Sequence, residues 1–271
     1  MNNTKSKQKN GRSWQVDVWD RMGPIYAQEV DYRFVPVIDQ MILRSSLLPG
    51  LRVLDVGTGS GAVALRTAHL VRGGEVIGVD ISRQMLDIAR KRAVAAQLDN
   101  TTFVKGSAEE LPVDSDSIDR VLASLSLMYS LDRMAAAREF ARVLRPGGRV
   151  VAAFWAGQEE NDIVKFQMMA GSLAPEPPAP GVGPGSMANG DEFVEMLKGA
   201  GVESSLETET LGFVFDTFDD AWDVLVGVTT AGMTPQQREE AKAAVRQAMW
   251  PKDGGPRYFS NLTQCLVGKK A

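Results

Sequence analysis

Residues Val53-Leu-Asp-Val-Gly-Thr-Gly-Ser-Gly61 form an apolar run that breaks abruptly into glycines at 57, 59 and 61, with Ala62 opening a helical pattern behind them. A strand that ends in such a loop and turns directly into a helix is the opening of a βαβ unit. Glycine lacks Cβ, so a ligand can approach the backbone closely at the loop. The unpaired N–H groups at the helix start favour an electronegative group there. A second β-rich run, 75–79, closes on Asp80, at the spacing where a carboxylate can accept the hydroxyls of a ribose. The pair reads as a seat for a nucleoside-bearing cofactor. It does not by itself define a reaction, because Gly57, Gly59 and Ala62 also satisfy the loose nicotinamide fingerprint.

The rest of the chain extends this unit. Strands are expected at 51–56, 75–79, 101–104, 118–124 and 148–155, with helices at 60–71, 82–97 and 132–144 between them. Short β-rich runs alternating with helices require parallel strands joined by right-handed crossovers, hence a doubly wound α/β sheet. Gly57, Asp80, Ser107 and Ser124 all fall at the carboxyl ends of their strands, where such sheets bind ligands. Before the sheet, residues 1–12 read as a polar, mobile tail, and 13–50 as a helical cap. In that cap Trp14, Val18 and Met22 share a face, Gly23-Pro24 interrupts the helix, and Pro24 and Pro36 each suit a first helical turn. After it, Pro175, Pro177, Pro178, Pro180 and Pro184 interleave with glycines, so 156–190 reads as a loop. The part 191–271 is expected to hold a helix at 190–200, a strand at 203–215, helices at 218–227 and 234–250, and a last strand at 258–267. The Thr234-Pro235-Gln-Gln237 start of the second insertion helix has the form of a capping box.

Composition narrows the function classes. A net charge of -4 and a pI near 5.3 provide no positive field for a phosphate backbone, and the cluster Lys5, Lys7, Lys9, Arg12 reads as a solvated end; no nucleic-acid partner is expected. One cysteine, Cys265, excludes an internal disulfide and a multi-thiolate metal centre. No run approaches the roughly 18 apolar residues needed to span a bilayer, so no integral membrane contact is expected, and the chain reads as cytoplasmic. His69, the sole histidine, points away from the crevice mouth, so no histidine base is expected. No metal cluster is evident, and a homodimer is compatible with the chain.

Asp55 before the first glycine, Asp80 on the second strand, Gly106-Ser-Ala-Glu-Glu-Leu-Pro112 after the third and Glu139-Phe-Ala-Arg-Val-Leu-Arg-Pro-Gly-Gly148 come in a fixed order. Together they resemble the class I S-adenosylmethionine-dependent methyltransferases, in particular the small-molecule enzymes grouped with ubiquinone and menaquinone biosynthesis. The resemblance covers residues 35 to 215. It implies a Rossmann-like seven-stranded sheet, mostly parallel with an antiparallel last strand, under a helical lid made of the Pro/Gly loop and the insertion 217–250. It also implies S-adenosyl-L-methionine as cofactor. Asp55, Gly57, Thr58, Gly59 and Gly61 then surround its methionine end, Asp80 and Ile81 its ribose, and Ser107 and Ala108 its adenine, with Ser124 at the floor.

This chain departs from the family at two points. Ser107 stands where an acid usually accepts from the adenine amino group, and a neutral hydroxyl should hold it less tightly. Met128 and Tyr129 stand where a His-His pair usually lines the transfer face, which leaves Tyr129, and Tyr26 from the helical cap, as the catalytic candidates. Asp162 is a further carboxylate that could assist. Glu109 and Glu110 read as solvated. Phe166, Met168, Met169 and Trp222 are expected to roof a small apolar acceptor. A nicotinamide-dependent oxidoreductase, and a protein that binds S-adenosylmethionine without transferring methyl, remain the alternatives.

Overall fold

The computed structural model describes residues 2–179, 181–250 and 254–271. Helix α1 runs over Asn2–Ile25 and passes into a π-helical turn, Tyr26–Val30, before α2, Val35–Ser45. The expected tail is therefore helical over residues 2–12, with Met1 outside the described residues, and Gly23-Pro24 does not end the helix. The reason lies in the neighbours. A Cβ on Gly23 would meet Gln84 and Ile88 at 3.2 Å, so the glycine admits the helix to close contact with the following layer. Proline cannot donate to the carbonyl four residues back. Just beyond it the turn widens, and the Asp31 N–H bonds the Tyr26 carbonyl at 3.0 Å. Pro36 sits in the first turn of α2, as its fixed φ favours.

The sheet then alternates with helices. Its strands are β1 (Arg52–Val56), β2 (Glu75–Asp80), β3 (Thr101–Lys105), β4 (Ile118–Ser124) and β5 (Leu144–Trp155), with helices α3 (Ala62–Leu70), α4 (Arg83–Ala95) and α5 (Arg133–Val143) between them. After β5 come α6 (Asp162–Ala170), α7 (Asp191–Gly199), β6 (Val202–Phe215), α8 (Phe218–Leu225), α9 (Pro235–Met249) and β7 (Arg257–Lys270). The strand order is β3-β2-β1-β4-β5-β7-β6; β7 runs antiparallel to both its neighbours, and the other pairings are parallel. This is the expected doubly wound, Rossmann-like sheet with an antiparallel last strand. Between β1 and β4 the winding reverses direction, and the carboxyl ends of the two strands part to leave a crevice.

The core follows from strand composition. Val53, Leu54, Val121, Leu122, Val150 and Val151 are fully buried, as strands covered on both faces require. The segment 156–190 is not all loop. The prolines begin only at 175, and Asn161 caps α6 by accepting from the Val164 N–H at 2.9 Å. Thr234 and Gln237 form the capping box of α9. The insertion extends one side of this core with aromatic residues. Phe166 of α6 meets Phe218, Trp222 and Phe259 at 5.7–6.3 Å, and Trp250 stands edge-on to Phe218. Among the described residues no helix is long and apolar enough to cross a membrane.

Candidate active site

The glycine loop is held by backbone geometry. Gly57, Gly59 and Gly61 have φ of 71°, 53° and 90°, a region that costs a residue with Cβ about 1 kcal/mol or more. The N–H groups of Gly57 and Thr58 both donate to the Val79 carbonyl, at 2.8 and 3.0 Å, which ties the loop to the end of β2. Each glycine faces a different neighbour. A Cβ on Gly57 would lie 2.3 Å from the Ser126 Cβ and one on Gly61 3.1 Å from the Ala89 Cβ, whereas Gly59 faces open space. Gly57 and Gly61 are there for packing, and Gly59 leaves the loop bare towards the crevice.

Beside Gly59 lies a cavity of about 980 Å³, counting its open mouth. Asp80 stands on its wall, half-buried. One carboxyl oxygen accepts from the Gly59 N–H and the other from the Ser82 N–H, both at 2.9 Å. The carboxylate keeps acceptor capacity for a ligand hydroxyl. Burial, with Asp20 adding to it, pushes the Asp80 pKa up, and the three backbone N–H groups of Gly59, Ile81 and Ser82 oppose the shift.

Of the residues singled out in the sequence, Gly57, Thr58, Gly59, Asp80, Ile81, Ser107, Ala108, Ser124, Tyr26 and Tyr129 all line this cavity. Asp55 and Gly61 do not. The side chain of Asp55 is fully buried beneath the loop and accepts from the Thr58 hydroxyl at 2.6 Å. Burial, the dominant cause, raises its pKa to about 7, and the Thr58 bond only partly offsets this. Asp55 therefore props the loop from behind rather than facing a ligand. Ser107 lies in a one-residue bridge to Glu110 in the loop after β3.

Glu109 is not solvated, in contrast to its sequence reading. Its carboxylate pairs with Arg12 at 2.6 Å, accepts from the Leu131 N–H at 2.7 Å and forms part of the cavity wall. Sequence reasoning also missed Gln15 of α1 and Asp31 just after the π-helical turn, which line the same cavity together with Trp19, an aromatic of the helical cap. Asp31 is buried and accepts hydrogen bonds from the Ser60 hydroxyl and the Arg92 guanidinium; burial raises its pKa although both partners lower it. One signal was available. Gln15 falls on the face of Gly11, Val18 and Met22, so α1 buries a polar residue within an apolar stripe.

Trp19 stands between the two tyrosines, edge-on to Tyr26 at 5.9 Å and to Tyr129 at 5.0 Å. Burial pushes both phenols well above their ordinary pKa, with Asp31 adding to the shift at Tyr26. A phenol in that state keeps its proton at neutral pH, so both tyrosines present neutral hydroxyls.

Behind this aromatic group lies a second chamber of about 500 Å³, and Trp19, Tyr26, Phe34, Leu125 and Tyr129 line both spaces. The roof expected over an acceptor is elsewhere. Phe166 and Trp222 are sealed in the aromatic core, Met168 is 48% exposed, and Met169 packs at the core's edge. The residue of α6 that does reach the chamber is Gln167, with Val224 and Leu225 at the end of α8. Asp162 also lies away from both spaces; it accepts from the Ser260 N–H at 3.0 Å and faces Arg257. The Pro/Gly stretch lines neither space. It docks on the turn after β4 through the Gly183 N–H to the Met128 carbonyl at 2.9 Å, and Pro180 lies outside the described residues. His69 is exposed, and Cys265 is buried, which raises its thiol pKa to about 11.

Comparisons with known proteins agree with this geometry. A family model described as a methyltransferase domain matches residues 53–148. Methyltransferase GfsG of Streptomyces halstedii is 40% identical over 116 residues, 42% of this chain and 41% of that protein. The ubiquinone/menaquinone biosynthesis C-methyltransferase UbiE of Syntrophotalea carbinolica is 38% identical over 100 residues, 37% of this chain and 42% of that protein. The chain thus spans about half the length of the curated relatives it matches. Among solved structures, the YcgJ protein of Bacillus subtilis superposes with a TM-score of 0.64 at 22% identity, over 86% of this chain and 97% of that one. The [4+2]-cyclase SpnF superposes with a TM-score of 0.59 at 21% identity, over 87% and 80%. Likeness at that identity shows the fold alone. The domain match falls on the parallel part of the sheet: residues 53–148 match a methyltransferase domain, and curated methyltransferases are among the relatives of this chain at 38–40% identity.

Proposed function

We propose that the chain transfers a methyl group from S-adenosylmethionine to a small, mostly apolar acceptor. The observation that carries this reading is the pair of adjoining spaces: a cavity at the switch point, with Gly59 and Asp80 on its wall, and an uncharged chamber that shares Trp19, Tyr26 and Tyr129 with it. The residues fit the cofactor. Gly59 leaves bare backbone, Asp80 keeps free lone pairs for a ribose, and Ile81, Met85, Ser107 and Ala108 provide a mixed wall for a purine. The chemistry supplied there would be an electrophilic methyl carbon on a positively charged sulfur.

Because the donor is already activated, the protein's work is alignment and exclusion of water. Such positioning can account for about 7–11 kcal/mol of barrier lowering. The Trp19, Tyr26 and Tyr129 cluster supports both roles: three partly buried rings stand edge to edge and line both spaces, where they displace solvent. No tyrosinate base is needed, and an acceptor hydroxyl or acidic carbon would lose its proton to water. Titration calorimetry with S-adenosylhomocysteine and, separately, NAD tests the cofactor. Binding of NAD alone would convert the reading to an oxidoreductase. A radiolabelled methyl assay over a panel of neutral phenols, amines and carboxylic acids tests the reaction, and tight S-adenosylhomocysteine binding with no transfer to any of them would contradict it.

A further inference from the structure

Among the described residues, four that line the large cavity carry a charge: Arg12, Asp31, Asp80 and Glu109. Arg12 and Glu109 pair with each other at 2.6 Å, so the two charges left on the wall are carboxylates. Asp80 is engaged by backbone N–H groups. Asp31 is held differently. One oxygen, Oδ2, accepts from the Ser60 hydroxyl and from the Arg92 guanidinium, which also donates to the Ser60 carbonyl at 3.0 Å. The other, Oδ1, accepts from no described residue, yet it is not sealed from solvent, and the space that Asp31 borders is the cavity. The backbone brings it there. In an α-helix residues five apart fall on different faces. The π-helical turn, closed by the Asp31 N–H on the Tyr26 carbonyl at 3.0 Å, sets Asp31 one turn beyond Tyr26, and both line the cavity.

We infer that Asp31 is the counter-charge for a cationic group of the bound nucleoside, which it meets with Oδ1 at the glycine-loop end of the cavity. Arg92 does not cancel this charge. Its guanidinium is not part of the cavity wall, bonds Oδ2 alone, and favours the ionised carboxylate against burial. A cation donating to Oδ1 makes a charge-assisted bond, about twice as strong as a neutral one, whereas an anion there meets two carboxylates of its own sign. The inference rests on the cofactor proposed above and deepens it: S-adenosylmethionine carries two cations, its sulfonium and the ammonium of its amino-acid end, while a dinucleotide would bring a pyrophosphate. Asp31 is thereby a specificity-determining residue for ligand charge. It stands in the helical cap, outside the glycine motif, while Asp55, the carboxylate within that motif, is buried behind the loop.

Calorimetric titration of the full chain with two pairs of ligands reads each cation separately: S-adenosylmethionine against S-adenosylhomocysteine for the sulfonium, and S-adenosylhomocysteine against its deaminated analogue for the ammonium. In the wild type the cationic member of at least one pair is expected to bind about tenfold more tightly, the value of one charge-assisted bond. Asp31→Asn keeps the shape and removes the charge, so that ratio should fall to within about threefold of unity. Arg92→Gln removes the opposing cation and should widen the same ratio by about threefold or more. Opposite shifts from the two members of one ion pair are the mark of charge recognition, because a purely structural pair would weaken every ligand in both variants. Thermal unfolding reports whether each variant is folded; Arg92→Gln carries the test if Asp31→Asn is not, and the wild-type ratio needs neither. Wild-type ratios near unity, an unchanged ratio in folded Asp31→Asn, or a ratio that stays or falls in folded Arg92→Gln would overturn the inference. Binding of NAD and of none of the adenosyl ligands would overturn the cofactor reading with it, whereas tight binding of all three without preference for charge would overturn this inference alone.

Discussion

Replacing Asp80 by alanine separates its two tasks. In the protein alone, its carboxylate accepts the Gly59 and Ser82 N–H groups, each at 2.9 Å, so Asp80→Ala frees two backbone donors at the loop and at the start of α4. Hydrogen bonds to a charged group contribute about 1.5–3 kcal/mol each. Partial exposure lets water replace some of this, so a stability loss of about 2–3 kcal/mol is expected, lowering the melting temperature by about 4–10 °C. The glycine-loop conformation, held also by the Val79 carbonyl, should survive. Towards a ribose the variant loses both acceptors, which corresponds to S-adenosylhomocysteine affinity weakened by about 100-fold or more. Calorimetric titration against wild type measures the second effect and scanning calorimetry the first. A variant that melts several degrees lower yet binds S-adenosylhomocysteine within threefold of wild type would show that Asp80 only braces the loop, and the ribose assignment would be refuted.

Three further perturbations follow from the same geometry. Asp55 has its pKa raised by burial from 3.8 to about 7, so the unfolded chain releases this proton first and folding stability should fall as pH rises from about 4 to 7, by on the order of 4 kcal/mol; urea unfolding across that range should show the decline, Asp55→Asn should flatten it, and a wild-type curve rising with pH in that interval would contradict the burial. Gly57→Ala meets Ser126 at 2.3 Å and should destabilise by about 2 kcal/mol or more, whereas Gly59→Ala should cost only about 1 kcal/mol in backbone strain yet weaken S-adenosylhomocysteine binding by narrowing the cavity; equal thermal shifts for the two would contradict the asymmetry. Ser107→Asp should tighten S-adenosylhomocysteine binding about three- to tenfold by charge-assisted acceptance from adenine, and unchanged calorimetric affinity would place adenine elsewhere.

The parts of the fold legible in the sequence are those fixed by local chemistry. Thr234, Pro235 and Gln237 specify their helix start within a single turn, and the short β-branched runs of β1 and β4, bounded by turn residues, mark buried strands. The crevice residues were legible for the same reason: a strand end followed by glycine has one direction in which to open. What the sequence concealed depends on partners far along the chain. Gly23-Pro24 reads as a break until α4 is seen against it, and Arg12 and Glu109 read as solvated until they meet across 97 residues. Phe166 and Trp222 had the composition of a ligand roof, and only the aromatic neighbours Phe218 and Phe259 show that they fill a core. Asp55 carries the right side chain two residues before the first glycine, but the inward pleat of β1 at that position turns it behind the loop.

The central claim is that the crevice between β1 and β4 seats a methyl donor. A crystal structure of the chain with S-adenosylhomocysteine addresses it most directly. A methyl donor seated there has its two ribose hydroxyls on the Asp80 carboxylate, its amino-acid portion against Gly57 to Gly59, and its sulfur facing the Trp19, Tyr26 and Tyr129 cluster. A nucleoside bound at any other place, or a crevice closed by the chain's own side chains in the presence of saturating ligand, would contradict it.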